Sequence, residues 1–526
     1  MLPCDKSANM DTGQPGWIQI VSLPPPSLQD NTADADRLVR VLKSQLQTDD
    51  IAIDFNLLKK LPHQLRNAAF KVKCILFKDR HRWIVVDVKE AQDNATLAGL
   101  AVDLGTTTVV LRLVDLLSGT VLSESSFPNP QLSIGPDILT RVHFAGQADG
   151  LAQLHDLLTN NLNDSIRTVC SSCNLLPENI YFLSVAGNTV MTHLFMGLSP
   201  DWIIREPYIP VVNRPGLIAA PELGIAANPQ ARVLIFPNAG SYFGGDLVAG
   251  ILFSGLHRRP DTALLVDVGT NAEVVLGNRD WLVACAGAAG PALEGGASRI
   301  GMMAGPGAID HIELEPDKER FRCHTIDGSP PRGICGSGLI ELAALLFASG
   351  RIDIRGRFVP ENCGEKLTEL NGAPYLVIVP SNLSATGTDL GISQTDLDSL
   401  IRSKAAMYSI IETITASVGI SLVDINTFYV AGTFGSIIKP EAAVTIGMLP
   451  DLPLSRFVSL GNSSIGGAAM ALTAGGCLEE IDAIRDRITY LELNVNQEFM
   501  TRFSAARFLP HTDLSRFSSV KVRQAG

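Results

Sequence analysis

Short apolar runs, broken by glycine turns and polar loops, follow one another along the chain, and their period switches between that of strands and that of helices. Trp17-Ile-Gln-Ile-Val-Ser22 predicts a strand, halted by Pro24-Pro25-Pro26. Asn31 to Leu46 predicts a helix, because Leu38, Val41, Leu42 and Leu46 recur at steps of three and four, with Asn31 or Thr32 as its cap. Lys71 to Phe77 and Arg82 to Val88 flank the charged turn Lys78 to His81 and read as a hairpin. Residues 16–95 therefore form a small α+β unit behind a loose tail of residues 1–15, and the polar stretch Glu90 to Thr96 reads as a linker.

Beyond the linker the pattern repeats itself. Ala101-Val-Asp-Leu-Gly-Thr-Thr-Thr-Val-Val-Leu111 is echoed by Leu265-Val-Asp-Val-Gly-Thr-Asn-Ala-Glu-Val-Val-Leu276. The spacing of the copies far exceeds any solenoid period, so they mark two related domains, each opening with strand, glycine turn, strand. Three further glycine segments follow. Gly333-Ile-Cys-Gly-Ser-Gly338 precedes a helix from Leu339 to Ala348, and Gly432-Thr-Phe-Gly435 follows the strand Thr427 to Ala431. Gly461 to Gly467 runs into a helix from Ala468 to Ala474. Strands alternating with helices across glycine loops indicate an α/β protein.

Composition narrows the function classes. The 526 residues carry 42 Lys plus Arg against 54 Asp plus Glu, a formal charge of -12, with no basic run. Nothing in this balance attracts nucleic acid or an anionic membrane. The most apolar stretch, Val233 to Leu256, contains Pro237, Asp246 and several glycines, which argues against a membrane span. The first residues carry Asp5 and Asp11 and no apolar block, so no signal peptide is expected. The nine scattered cysteines read as reduced thiols in a cytoplasm.

The repeated hairpins offer phosphate chemistry. Gly105 lets the backbone approach an anion, the following amides can face phosphate oxygens, and Thr106, Thr107 and Thr108 add hydroxyl donors. Asp103 would repel a phosphate directly, so it is expected to hold magnesium through water. Asp267, Gly269, Thr270 and Asn271 repeat the logic, and Gly432, Thr433, Phe434 and Gly435 would back the nucleoside. Gly336, Ser337 and Gly338 join the candidate nucleotide contacts, although this run lacks the third glycine of a dinucleotide fingerprint. No Walker-type Gly-Lys-Ser/Thr and no His-Glu-x-x-His is present. His193, His311 and His324 read as ordinary polar or core histidines.

The order of hairpin, connecting helix, hairpin and glycine turn resembles the superfamily of actin, sugar kinases and heat-shock ATPases. That resemblance implies two actin-like (ribonuclease H-like) domains flanking a nucleotide cleft, at 96–260 and 261–478, with residues 479–526 packing on the ATPase body. It also makes Asp246, in Ser241-Tyr-Phe-Gly-Gly-Asp246, a third carboxylate for the metal or the attacking water. Val185-Ala-Gly-Asn-Thr-Val-Met-Thr-His193, Gly287 to Gly296, Gly305-Pro-Gly-Ala-Ile-Asp310, Gly333 to Gly338 and the ending Phe508-Leu-Pro-His511 resemble the reductive activators of corrinoid proteins. That family implies an ATP hydrolase, with ATP and Mg, that returns a Co(II) corrinoid to Co(I) for methyl transfer. It implies a corrinoid protein or corrinoid-dependent methyltransferase as partner, and homodimerisation.

Typical members also carry iron–sulfur domains, and a plant-type cluster needs Cys-x4-Cys-x2-Cys plus a distant fourth cysteine. Here Cys170-Ser-Ser-Cys173 is the sole close pair, so no iron–sulfur cluster is expected on this chain and a separate low-potential electron carrier is implied. Two other readings fit the same residues: a non-redox, nucleotide-dependent chaperone of a corrinoid or methyltransferase partner, and a small-molecule kinase. Glu273 and Glu294 sit in matching motifs, with catalytic and structural roles both open.

Overall fold

The computed structural model describes residues 16–79, 82–269, 272–287, 298–315, 320–432, 438–473, 477–493 and 497–521. The chain divides into two compact units, residues 1–253 with 464–486, and residues 254–463 with 487–526.

The first unit opens with a four-stranded sheet in the order Ile18–Ser22, Lys71–Asp79, Arg82–Glu90, Ile51–Ile53. Lys71–Asp79 and Arg82–Glu90 are the expected antiparallel hairpin. The helix runs Asp34–Leu46 and buries Leu38, Leu42 and Leu46. Neither Asn31 nor Thr32 caps it. The N-cap is Ala33, which makes no side-chain bond, while Thr32 bonds Asp30 through its amide and hydroxyl. Trp17 is buried against the rings of Phe77, Trp83 and Phe182. That contact carries the small sheet onto the next one.

The second sheet of this unit is ordered Val121–Pro128, Thr108–Asp115, Ala98–Leu104, Ile180–Gly187, Arg232–Ile235, Leu217–Ala219. Its centre, Ala98–Leu104, pairs antiparallel with Thr108–Asp115 and parallel with Ile180–Gly187. The helix Gly150–Ser172 buries Leu154, Leu158, Leu162, Ile166 and Val169, one residue per turn on the sheet side.

The second unit builds the same order again, Leu282–Gly287, Ala272–Gly277, Ala263–Val268, Thr427–Ala431, Phe457–Gly461, with Ile488–Tyr490 added parallel at the outer edge of Leu282–Gly287. Ala263–Val268 is antiparallel to Ala272–Gly277 and parallel to Thr427–Ala431. In both sheets a three-strand meander is extended by two parallel strands. The repeat read from the two Asp-x-Gly-Thr segments is therefore a repeat of topology, and the ribonuclease H-like order is present twice. The helix Gln394–Ser417 starts at a reciprocal cap between Ser393 and Asp396 and is buried along most of its length.

Two glycine segments differ from expectation. Gly336, Ser337 and Gly338 are the first turn of the helix Gly336–Ala348 rather than a loop before it. The helix expected at Ala468 begins at Ser463 and runs to Thr473, so Gly466 and Gly467 lie inside it. A Cβ on Gly467 would stand 2.1 Å from the Ala249 carbonyl oxygen, and one on Gly466 2.6 Å from the Phe253 ring. These glycines let two helices approach at backbone distance. Among the described residues no helix is long and apolar enough to cross a membrane.

Candidate functional site

In the first unit, the central strand carries Asp103 to the sheet's end, where Gly105 turns the chain into Thr108–Asp115. A Cβ at Gly105 would meet the Thr108 carbonyl oxygen at 2.2 Å, so the tightness of the turn itself demands glycine. The Ser464 hydroxyl donates to Asp103 Oδ1 at 2.8 Å.

The turn's carbonyls all look one way. The Gly105 carbonyl accepts from Asn129 Nδ2 at 2.9 Å, that of Thr106 from Arg141 Nη2 at 2.7 Å, and that of Thr107 from the Asn129 amide at 2.8 Å. In a planar trans peptide the next N–H points opposite to the carbonyl. The amides of Thr106, Thr107 and Thr108 are thereby aimed away from that layer. Among the described residues neither the Thr106 nor the Thr107 amide donates a hydrogen bond. Consecutive amides facing one side make an anion-binding concavity.

Two more residues join this hairpin. Asn188 caps the helix Thr189–Phe195 through the Met191 amide and donates from Nδ2 to Thr106 Oγ1 at 3.0 Å. Asp246 lies in the first turn of the helix Gly245–Ser254. A Cβ at Gly244 would sit 2.3 Å from Asn188 Cα and 2.6 Å from Asp246 Oδ1, so Gly244 lets the Asn188 backbone and the Asp246 carboxylate both come close to it. The first unit thus assembles Thr106, Asn188 and Asp246 on one side of its sheet end. Of the residues around this hairpin, Asn129, Arg141, Asn188 and Ser464 were not marked as candidates from the sequence. Asn188 had a legible signal, because Ala186-Gly187-Asn188 echoes Ala431-Gly432-Thr433.

In the second unit, Asp267 stands directly across from Glu273 on one neighbouring strand and beside Ala431 on the other. Gly432 has φ +85, and a Cβ there would lie 2.4 Å from the Val268 carbonyl oxygen and 2.8 Å from Asp267 Oδ1. The Ser463 hydroxyl donates to Asp267 Oδ2 at 3.1 Å. Gly269 follows the strand and is half-buried. Thr270, Asn271, Glu294, Thr433, Phe434 and Gly435 lie outside the described residues.

Gly336, Ser337 and Gly338 are buried, and a Cβ at Gly338 would stand 2.3 Å from the Ile309 carbonyl oxygen. Close packing of this helix on the Ala308–Leu314 strand demands glycine at 338. On the same helix Glu341, nearly buried, receives Lys439 Nζ at 3.1 Å and touches His311 Nδ1. Hydrogen bonds to Glu341 and Glu313 raise the His311 pKa. His193 is buried, its Nδ1 bonding the Thr189 carbonyl and its Nε2 accepting from the Val211 amide, and burial lowers its pKa. His324 bonds Asp310 at 2.8 Å.

Comparison with known proteins places these features in a family. Residues 15–95 match the linker region, 98–259 the middle region, and 261–521 the C-terminal ASKHA domain of RACo. A corrinoid activation enzyme, RamQ, of Eubacterium limosum is 30% identical over 431 residues, covering 80% of this chain and 72% of that protein. The Co(II) methylated amine-specific corrinoid protein reductase of Methanosarcina barkeri is 23% identical over 424 residues, covering 74% of this chain and 73% of that protein. The solved reductive activator for a corrinoid, iron–sulfur protein superposes with a TM-score of 0.86 at 37% identity, over 96% of this chain and 81% of that one. With a repeated actin-like sheet, a matching linker unit and relatives of this coverage, the chain belongs to the RACo family of reductive activators of corrinoid proteins.

Proposed function

We propose that this chain binds ATP with magnesium and couples its hydrolysis to the one-electron reduction of a Co(II) corrinoid on a partner protein to Co(I). A separate low-potential carrier gives up that electron. The carrying observation is the Asp103–Thr108 hairpin, whose Thr106 and Thr107 amides make no hydrogen bond among the described residues, in a chain whose relatives are named corrinoid activators. The donor set suits the ligand. Amides and threonine hydroxyls meet phosphate oxygens, and carboxylates suit a hard cation that keeps most of its waters. Asp103, Asp246 and Asp267 would hold the hydrated magnesium, which neutralises phosphoryl charge when bound.

The chain's own residues do the rest. The Thr106 to Thr108 amides orient the phosphates, Ser464 and Ser463 fix the Asp103 and Asp267 carboxylates, and Gly432 keeps the strand end against Asp267. Hydrolysis consumes ATP and water and yields ADP and phosphate. The free energy of that step is spent on favouring a partner-bound state in which the electron transfers. Cys74 and Cys285 are buried within sheets, with burial pushing the Cys74 thiol up to about 12, and Cys170 sits buried at a helix end. Reduced, buried thiols and the low-potential chemistry suit a cytoplasmic protein.

The test mixes the protein, ATP, magnesium, Ti(III) citrate and a Co(II) corrinoid protein under anaerobic conditions. ATP-dependent appearance of the Co(I) absorption supports the reading, with Asp267→Ala abolishing both ATP turnover and Co(I) formation. Wild-type turnover in Asp267→Ala removes that carboxylate's role. Partner binding without Co(I) sinks the reductive reading.

A further inference from the structure

Arg141 is fully buried, and the acceptors around its guanidinium are neutral. Nε donates to the Gly135 carbonyl at 2.9 Å, Nη1 to Gln131 Oε1 at 3.3 Å and toward Met191 Sδ, and Nη2 to the Thr106 carbonyl at 2.7 Å. Among the described residues no carboxylate forms an ion pair with it. Asp137, one turn earlier, accepts from the Thr140 amide and hydroxyl and acts on the guanidinium only through space. Burial lowers the arginine's pKa to about 10, still well above neutrality. A buried cation without a carboxylate in contact is costly and calls for a reason.

Its position supplies one. The Thr106 carbonyl that it grips belongs to the same peptide plane as the Thr107 N–H. Drawing density from that carbonyl makes the N–H on the far side a stronger donor. The Asn129 side chain treats the Gly105–Thr106 peptide in the same way, without the charge. We infer that Arg141 is a positioning residue for phosphate: it holds the Thr106 turn with its amides outward, and its unpaired charge is neutralised by the nucleotide's phosphates when they bind. This rests on the reading of that hairpin as the phosphate site. The chain thereby tolerates a strained electrostatic state when empty and relieves it when loaded, a preference for phosphorylated ligands built one layer beneath the contact surface.

The experiment compares wild type, Arg141→Gln and Arg141→Lys, each at a temperature at which circular dichroism shows it folded. The probes are ATP, ADP and adenosine, measured by calorimetry. Gln keeps a donor for the Thr106 carbonyl but no charge, whereas Lys keeps the charge. The expectation is on the order of tenfold or more weaker ATP and ADP binding in Arg141→Gln, unchanged adenosine binding, and recovery to within about threefold in Arg141→Lys. KM for ATP should rise in Arg141→Gln with kcat little changed. Equal binding of all three ligands by the Gln variant and wild type overturns the inference and leaves the phosphate site standing. Equal loss for adenosine overturns it too, since that marks a purely architectural side chain. A wild type that binds adenosine and ATP alike removes the phosphate reading itself.

Discussion

Replacing Gly432 by alanine attacks the second unit where its backbone is tightest. Two effects add. At φ +85 an L-residue costs roughly 1–2 kcal/mol relative to glycine. The new methyl would also stand 2.4 Å from the Val268 carbonyl oxygen and 2.8 Å from Asp267 Oδ1, an overlap with backbone that no rotamer relieves. Overpacking of this kind costs about 1–3 kcal/mol. The sum is about 2–5 kcal/mol, which for a unit of this size lowers the melting temperature by about 4–20 °C. Gly419 provides the control, because it also has positive φ (+71) but open space around its Cβ position, so Gly419→Ala carries the strain without the overlap. Scanning calorimetry at one fixed scan rate, with ATP turnover measured below both transitions, reads the difference. Gly432→Ala should melt well below Gly419→Ala and lose most turnover, since relief of the clash requires the Asp267 strand end to move. Equal melting of the two variants, with turnover intact, would refute the account of this contact.

Lys404 gives a pH-dependent prediction. It is fully buried, and its Nζ donates to the carbonyls of Phe508 at 2.5 Å and Pro510 at 2.7 Å. Burial pushes its pKa well below the ordinary lysine value of about 10.5. The unfolded chain then binds the extra proton between the lowered folded value and 10.5, so stability rises with pH across that window, by up to about 1.4 kcal/mol per pH unit. Lys404→Met lacks that rise, so the denaturant midpoint of wild type should climb relative to that of the variant from pH 7 to pH 10; parallel curves would contradict a lowered Lys404 pKa. At Asn188, aspartate caps a helix as well as asparagine does, so Asn188→Asp should leave the melting temperature within a few degrees. It loses the donor to Thr106 Oγ1 and adds a negative charge, so ATP binding by calorimetry should weaken severalfold.

What the sequence made legible is what local pattern encodes. The hairpins at Asp103 and Asp267 announce themselves because strand, glycine and strand are contiguous, and the first helix because Leu38, Leu42 and Leu46 repeat at helical spacing. Contacts between distant segments carry no such mark. Arg141 follows Thr106 by 35 residues and Ser464 follows Asp103 by 361, and neither has a local signature. The glycines at 338, 466 and 467 differ from the loop expectation for a related reason. Glycine serves loops and close helix packing alike, and only the neighbour, the Ile309 carbonyl in one case and the Ala249 carbonyl in the other, tells them apart.

The same comparison shows where the two halves of the repeat part company. In each sheet an aspartate stands beside an Ala-Gly pair on the adjacent parallel strand: Asp103 beside Ala186, with Gly187 next, and Asp267 beside Ala431, with Gly432 next. Both glycines are held by the residue after the aspartate, since a Cβ at Gly187 would lie 2.9 Å from Leu104 Cβ and one at Gly432 2.4 Å from the Val268 oxygen. The shared feature is thus a requirement of the fold, set by how closely two parallel strands approach at their ends. Across from Asp103 the antiparallel partner is Val110, whereas across from Asp267 it is Glu273. The first hairpin is backed by a buried cation and the second faces a second carboxylate. The two copies therefore share one backbone device at the strand end and differ in the charge arranged around it.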